Sequence, residues 1–356
     1  MPSALPLLVV VTLAALLTAG AVEVARRSAL RLALLDQPNA RSSHEVATPR
    51  LGGLAFVPVL LGGILLVSWL ADGPSGRALV LPGLAIASIG LLVAAVSAVD
   101  DVRPLPPWLR LVAHLSAGVA VVVVVGGVQV ISVPPAGTIA LGAVASATMT
   151  VFWIAGFINA FNFMDGIDGI AGTQALVAGA GWVIVGLVAG APLLAWIGAV
   201  VAGTAVGFLV HNWSPARIFM GDAGSALLGF LLATVPWALG HADLWLASAL
   251  MVWPFVFDTS LTMVRRAWRG ERLWEAHRSH LYQRLVIAGR SHRAVTVLYG
   301  GLAALGLVCG LLLHRGPTSL APVAVACVVA SAIGLWVAVL HAERAQPRAS
   351  RARSRA

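Results

Sequence analysis

Long apolar runs recur along this chain, each near the roughly 20 residues that an α-helix needs to cross a hydrocarbon layer at about 1.5 Å per residue. Polar breaks divide them into eleven segments: 3–23, 51–71, 77–99, 109–127, 137–158, 170–190, 192–211, 225–240, 243–264, 294–313 and 318–340. Repetition on this scale predicts an all-α integral membrane protein, a polytopic bundle of about eleven transmembrane helices. Composition agrees. Of 356 residues, 59% are hydrophobic and 10% are charged, against about 45–50% and about 25% in soluble domains. Disorder, collagen, coiled coil and disulfide scaffold are excluded. Cys309 and Cys327 lie in apolar runs, form no CxxC pair and read as packing residues.

Where the charge sits matters more than its sum of +9. The first run has no Arg ahead of it, and Arg26, Arg27 and Arg31 follow it. That is the reverse of a secretory signal, so it reads as a retained span with its N-terminus outside. Counting from there, only Arg77 and Arg315 fall in outer gaps. The other 21 of the 23 basic residues, all Arg, fall inside, as the positive-inside rule requires. The C-terminus is then cytoplasmic. Residues 1–341 read as a single transmembrane domain. Residues 342–356, with Arg348, Arg351, Arg353 and Arg355, form an Arg-rich cytoplasmic tail expected to be disordered beside anionic headgroups. The basic balance is thus a membrane signal, and no nucleic-acid partner is expected.

The remaining polar residues crowd five inner segments: 36–50, 100–110, 159–168, 211–225 and 265–293. A transporter would set its polar groups at mid-membrane. Here only Asp258 lies within a span, two turns from Arg265, and a structural role is favoured for it. Polar groups at one face point to chemistry at the cytoplasmic interface, between a soluble reactant and a lipid-held one.

The segments differ in specificity. Asp100-Asp101 could raise one pKa by repulsion and serve as a general base or magnesium site; on the dipeptide alone, a solvated helix end is the stronger reading. Asn159, Asn162, Asp165 and Asp168 recur every third residue, with Gly166 and Gly169 between and after. They offer hard oxygens on nearly one helical face, suited to magnesium and phosphate. In Asn212–Ser225, Gly221 and Gly224 flank Asp222 at the start of a span, where backbone N–H groups can face an anion. Phe219 either stacks on a base or packs. His277, Arg278 and His280 offer phosphate contacts. Zinc at His277, His280 and His292 ranks well below phosphate, for want of Cys. Asp36, Pro38, Asn39, Arg41, His44, Arg50, Gly52 and Gly53 mark turns around cations in the first loop.

The ordered set Asp-x-Pro-x-x-Arg-x-x-His, Pro-Arg-x-Gly-Gly, Asp-Asp, Asn-x-x-Asn-x-x-Asp-Gly-x-Asp-Gly and Pro-Ala-x-x-Phe-Met-Gly-Asp-x-Gly-Ser, with the basic His loop, spans Asp36 to about Arg284. It resembles the polyprenyl-phosphate N-acetylhexosamine-1-phosphate transferases, in the bacterial branch that starts O-antigen and related envelope glycans. The resemblance implies transfer of a sugar-1-phosphate from a UDP-N-acetylhexosamine to undecaprenyl or another polyprenyl phosphate, with UMP released. It implies Mg2+ as cofactor, with Mn2+ as a substitute, and the bacterial inner membrane as location, with the active site on the cytoplasmic face. A homodimer is left open.

By motif position, Asp222 and Asn162 resemble the metal-binding residues. Asp100, Asp101 and Asp168 are counted with the catalytic group. Asp165, Arg278, His277, His280, Phe219 and Arg50 are counted with substrate binding. The 277–284 loop departs from the His-rich triplet of the muropeptide branch and is closer to O-antigen enzymes that use N-acetylated 6-deoxyhexosamines such as N-acetylfucosamine or N-acetylquinovosamine; N-acetylglucosamine stays open, and phospho-N-acetylmuramoyl-pentapeptide transfer is the alternative reading. A transporter or lipid flippase is the alternative from another class. In-line attack by the lipid phosphate and double displacement through an aspartyl intermediate both stay open.

Overall fold

A computed structural model describes residues 2–37, 46–71, 80–133, 137–239, 244–275 and 277–345. Pro38, Asn39, Arg41, His44, Arg77 and the tail from 346 lie outside the described residues. The chain opens with α1 (Ala4–Arg31), followed by a two-residue antiparallel pair, β1 (Leu35–Asp36) with β2 (Thr48–Pro49). Then come α2 (Gly52–Ala71), α3 (Val80–Val102) and α4 (Pro107–Val125). A short hairpin, β3 (Val130–Val133) with β4 (Gly137–Ala140), leads to α5 (Ala143–Met164), α6 (Ile170–Ala189) and α7 (Pro192–Asn212). The second half holds α8 (Asp222–Ala238), α9 (Trp245–Met251), α10 (Trp253–Trp268), α11 (Leu281–Ile287), α12 (His292–Arg315) and α13 (Ala321–Ala345).

Among the described residues, nine helices are long and apolar enough to cross a membrane, or ten if α9 and α10 count as one bent span. The α8 helix, 17 residues with Pro236 inside it, is shorter. Each of the eleven apolar runs thus corresponds to a helix or to the bent pair. Three boundaries differ from expectation. The fifth run begins as strand β4, whose partner β3 is Val-Ile-Ser-Val, a β-favouring stretch. Its helix starts at Ala143 and runs on to Met164, so Asn159 and Asn162 are helical. The ninth run breaks at Val252 with a 71° bend. Pro254 has no N–H for the carbonyl of Leu250, so the helix must restart. The freed Leu250 carbonyl lies against Gly306 of α12, in space that a Cβ would fill. Last, α13 continues to Ala345, so residues 342–345 belong to a helix and not to the tail.

The core follows from small residues. α7 packs between α6 and α1. A Cβ on Gly179 would lie 2.6 Å from the Ala202 backbone nitrogen, so these helices approach with backbone nearly in contact. α8 is buried between α3 and α5. The outer helices α1, α4 and α13 leave large apolar side chains such as Leu16, Val123 and Val329 exposed. That pattern suits a lipid solvent, where apolar exposure carries no hydration cost.

Candidate active site at the polar end of the bundle

Three chain segments are stitched together at one end of the bundle. The Phe219 N–H donates to the Pro49 carbonyl (2.8 Å), Gly52 N–H donates to Phe219 O (3.0 Å), and Gly53 N–H donates to Met220 O (2.6 Å). This lays the residue 49–53 segment along 219–220. Gly221 then turns into α8 at φ 77°. A side chain there would be strained by the left-handed backbone. It would also lie 3.0 Å from the Asp101 carboxylate.

Asp101, the penultimate residue of α3, accepts from the backbone N–H groups of Asp222 (2.9 Å) and Ala223 (3.0 Å), one on each oxygen. It therefore caps the N-terminus of another helix 121 residues away, satisfying two of the donors that every helix start leaves unpaired. Arg50 Nε lies 3.5 Å from Asp101 and its Nη2 lies 3.3 Å from Asp222. Arg110 Nη1 lies 3.0 Å from Asp100 and 3.8 Å from Asp222. Asp100 also accepts from the Leu105 N–H, which holds the turn from α3 to α4. Of these three carboxylates, Asp222 is the most open, with 20% of its side chain exposed against 6% and 3% for Asp100 and Asp101.

α5 brings the amides. Asn162 Nδ2 donates to Ser225 Oγ (3.0 Å), which donates to the Gly221 carbonyl (3.2 Å). This sets Asn162 over the start of α8. One turn earlier, Asn159 Nδ2 donates to His114 Nδ1 (2.9 Å). Asp165 caps the end of α5. Burial and the charges of Asp222 and Asp101 push its pKa up to about 7, while Arg50 pulls against them. Asp100, Asp101, Asp165 and Asp222 thus share two guanidinium groups.

Asp168 has other partners. His292 Nδ1 lies 3.3 Å from its Oδ2, and the Ala216 N–H donates to the same oxygen (3.2 Å). Burial raises its pKa, yet the interactions with His292 and Ala216 outweigh that and leave it below the usual carboxylate range. Its backbone carbonyl accepts from Thr296 Oγ1 (2.8 Å). Asp168 ties the α5–α6 turn to α12 and to the 213–219 segment.

The 277–284 segment divides likewise. His280 is buried, with Nδ1 3.2 Å from Asp258. His277 is half-buried; burial, then His280 and Arg266, push its pKa down to about 4, so it is neutral at pH 7. Its Nδ1 is 2.9 Å from Ser279 Oγ. Arg278 and Phe219 are half-buried. Sequence reasoning gave no role to Arg110, His114, Ser225 or Tyr282, though Ser225 and Tyr282 lie within the motifs. Arg110 carried a signal, as a cation at a helix start joined to the acidic pair by a Pro-rich turn. The others become visible only once the helices are packed.

Among the described residues, no three or more His, Cys, Asp and Glu side chains converge as a ready-made metal cage. A magnesium ion does not need one. It is often held by one or two carboxylates, waters and substrate phosphates. Asp222 and Asn162 are hard-oxygen donors at the most open carboxylate, in a cluster with surplus negative charge, and they fit that mode.

Two apolar grooves run along α10, and the smaller reaches this end at Asn159. One, of about 370 Å3, is lined by residues including Phe152, Phe157, Asn159, Phe163, Thr259 and Met263. The other, of about 620 Å3, is lined by residues including Leu250, Trp253, Phe257, Val329, Ile333 and Trp336. They share Trp153, Val256 and Ser260 and so meet along α10.

Comparison with known proteins places this geometry. Residues 83–239 match the family described as Glycosyl transferase family 4. The chain is 30% identical over 358 residues to the decaprenyl-phosphate N-acetylglucosaminephosphotransferase of Mycobacterium tuberculosis (strain ATCC 25618 / H37Rv), covering 92% of this chain and 88% of that one. It is 31% identical to a Bacillus subtilis (strain 168) protein named as a probable undecaprenyl-phosphate N-acetylglucosaminyl 1-phosphate transferase, over 78% of this chain and 76% of that one. It is 33% identical to the phospho-N-acetylmuramoyl-pentapeptide-transferase of Synechococcus sp. (strain JA-3-3Ab), over 76% of this chain and 81% of that one. With motifs, helices and relatives in agreement along most of its length, the chain belongs to glycosyl transferase family 4, a multi-pass membrane family of polyprenyl-phosphate sugar-phosphate transferases.

Proposed function

We propose that the protein transfers N-acetylglucosamine-1-phosphate from UDP-N-acetylglucosamine to a polyprenyl phosphate and releases UMP, at the cytoplasmic face of the inner membrane. The observation that carries this reading is on α5: Asn159 lines an apolar groove, and Asn162, one turn on, sits at the Asp222 cluster. A lipid chain in the groove would present its phosphate where the charged groups converge. The Arg-rich inner face supports the cytoplasmic assignment. The mycobacterial and Bacillus relatives support the N-acetylglucosamine donor.

Each residue then has work to do. The grooves around α10 bind the prenyl tail and exclude water. Arg50 and Arg110 draw the two anionic reactants together and offset charge on their phosphates. Asp100 takes the acceptor proton or orients its phosphate. Asp101 holds the start of α8 and so aims Asp222. Arg278 is the cation of the 277–280 segment that meets the donor. Asp222 and Asn162 hold Mg2+, which when bound neutralises the donor pyrophosphate. The acceptor oxygen forms a bond to the sugar-bearing phosphorus as the bond to UMP breaks, and UMP leaves with the electron pair. The step initiates a cell-envelope glycan.

Purified protein in detergent, with undecaprenyl phosphate, Mg2+ and a panel of UDP-N-acetylhexosamines, tests this. UMP should be released with UDP-N-acetylglucosamine, only with lipid and metal present, and not by Asp222→Ala. Release with the muramoyl-pentapeptide donor alone would replace the donor assignment. No release from folded protein with any donor would sink the reading.

A further inference from the structure

Asp258 and Tyr282 are buried polar residues that the proposed reaction leaves unused. Asp258 sits inside α10 and accepts four hydrogen bonds, with an imidazole nitrogen beside them. Leu281 N–H (2.8 Å) donates to Oδ1, as does Thr262 Oγ1 (3.3 Å), and His280 Nδ1 lies 3.2 Å from that oxygen. Tyr282 N–H (3.0 Å) and the Tyr299 hydroxyl (2.6 Å) donate to Oδ2. A buried carboxylate is costly unless its lone pairs are satisfied. Here they are filled by the first N–H groups of α11, which pins that helix to α10.

Tyr282 carries the connection further. Its hydroxyl donates to the Phe163 carbonyl (3.0 Å), one of the last carbonyls of α5, which have no partner within the helix. The same hydroxyl lies against Gly166, in space that a Cβ would need. It therefore sets how the chain turns between Asn162 and Asp168. Other faces of α10 line the grooves, through Phe257, Thr259 and Ser260. Arg265, two turns on, donates to the Ser279 carbonyl (2.7 Å) and holds the same loop from the other side.

We propose that Asp258 and Tyr282 are positioning residues for the transfer: Asp258 fixes the start of α11, and the Tyr282 hydroxyl passes that placement to the turn bearing Asp165, directly after Asn162. The groove-lining helix and the turn after α5 are thereby held in register. The kinetic part of this inference rests on the transferase reading of the site; the structural part does not.

The test uses Tyr282→Phe in the full-length protein, with hydrogen–deuterium exchange and steady-state kinetics side by side. Loss of one hydrogen bond should speed exchange of the 163–168 amides about three- to tenfold. It should lower kcat by a similar factor with little change in KM for the lipid. The melting temperature should move little. Asp258→Asn should act in the same direction and also speed exchange at the start of α11. Gly166→Ala should impair transfer more than Tyr282→Phe does. The double variant Gly166→Ala/Tyr282→Phe should recover part of that loss, because the atom that clashes is gone. Unchanged exchange at 163–168 in Tyr282→Phe, unchanged kcat, or no recovery in the double variant would overturn the proposal. If the wild type transfers nothing, the functional reading falls, and the exchange result alone decides whether Tyr282 sets the turn.

Discussion

Replacing Asp101 separates capping from chemistry. Its carboxylate is nearly fully buried and accepts two α8 N–H groups. In Asp101→Ala both donors lose their partner. Loss of a helix cap costs about 0.5–2 kcal/mol, and a buried donor left unsatisfied costs about 1–3 kcal/mol. Arg50 loses one of two carboxylates, 41% exposed on its own side, so that pair adds little. Allowing for overlap between these effects, we expect a loss of about 2–4 kcal/mol. Asp101→Asn keeps one acceptor oxygen and should lose about half as much. Both variants should melt below wild type in detergent and release UMP slowly, with alanine worse on both counts. Asp222→Asn, by contrast, should abolish transfer yet melt near wild type, since it removes a carboxylate from a crowded acidic cluster. An Asp101→Ala protein that melts like wild type while losing all activity would refute the capping argument and return Asp101 to direct chemistry.

Three further predictions follow from the geometry. Gly221→Ala places a side chain at φ 77° against the Asp101 carboxylate. It should cost at least about 1–2 kcal/mol and lower both melting temperature and kcat. Gly156 lines the smaller groove, and a Cβ there meets nothing within 4 Å. Gly156→Ala should therefore be silent in a UMP-release assay, whereas Gly156→Leu should raise KM for polyprenyl phosphate and leave KM for the donor alone. Asp168 has a lowered folded pKa, so its stabilisation is complete above its ordinary value of about 3.9 and is lost as pH falls through the lower folded value. The melting difference between wild type and Asp168→Asn should shrink as pH falls below about 4; a difference that grew between about pH 4 and pH 2 would contradict a carboxylate held ionised by its His292 and Ala216 contacts.

Much of the fold was legible because lipid imposes a simple rule: satisfy every backbone group locally and keep apolar side chains outside. Eleven runs obeyed it closely enough to be counted. What escaped were the exceptions. Pro254 lies in an apolar run, and only its missing N–H reveals that the run bends by 71°. The β3–β4 hairpin is as apolar as a span, so hydropathy alone merged β4 with α5. At the site, the acidic motifs announced themselves by residue type. Their division of labour did not, since that depends on which helix ends meet. Asp101 caps α8 across 121 residues, and Asp168 pairs with His292 across 124. Asp258, by contrast, was readable as structural because a lone carboxylate inside a span needs partners.

The most direct test of the central claim follows the phosphorus. Donor UDP-N-acetylglucosamine would be labelled with 32P at the sugar-bearing phosphate and incubated with purified protein, Mg2+ and undecaprenyl phosphate. The account predicts that label passes into the organic phase in proportion to UMP formed, only with acceptor lipid present, and not with Asp222→Ala. Label that stays in the aqueous phase as UDP while the sugar becomes lipid-linked would show transfer of the sugar without its phosphate and contradict the account.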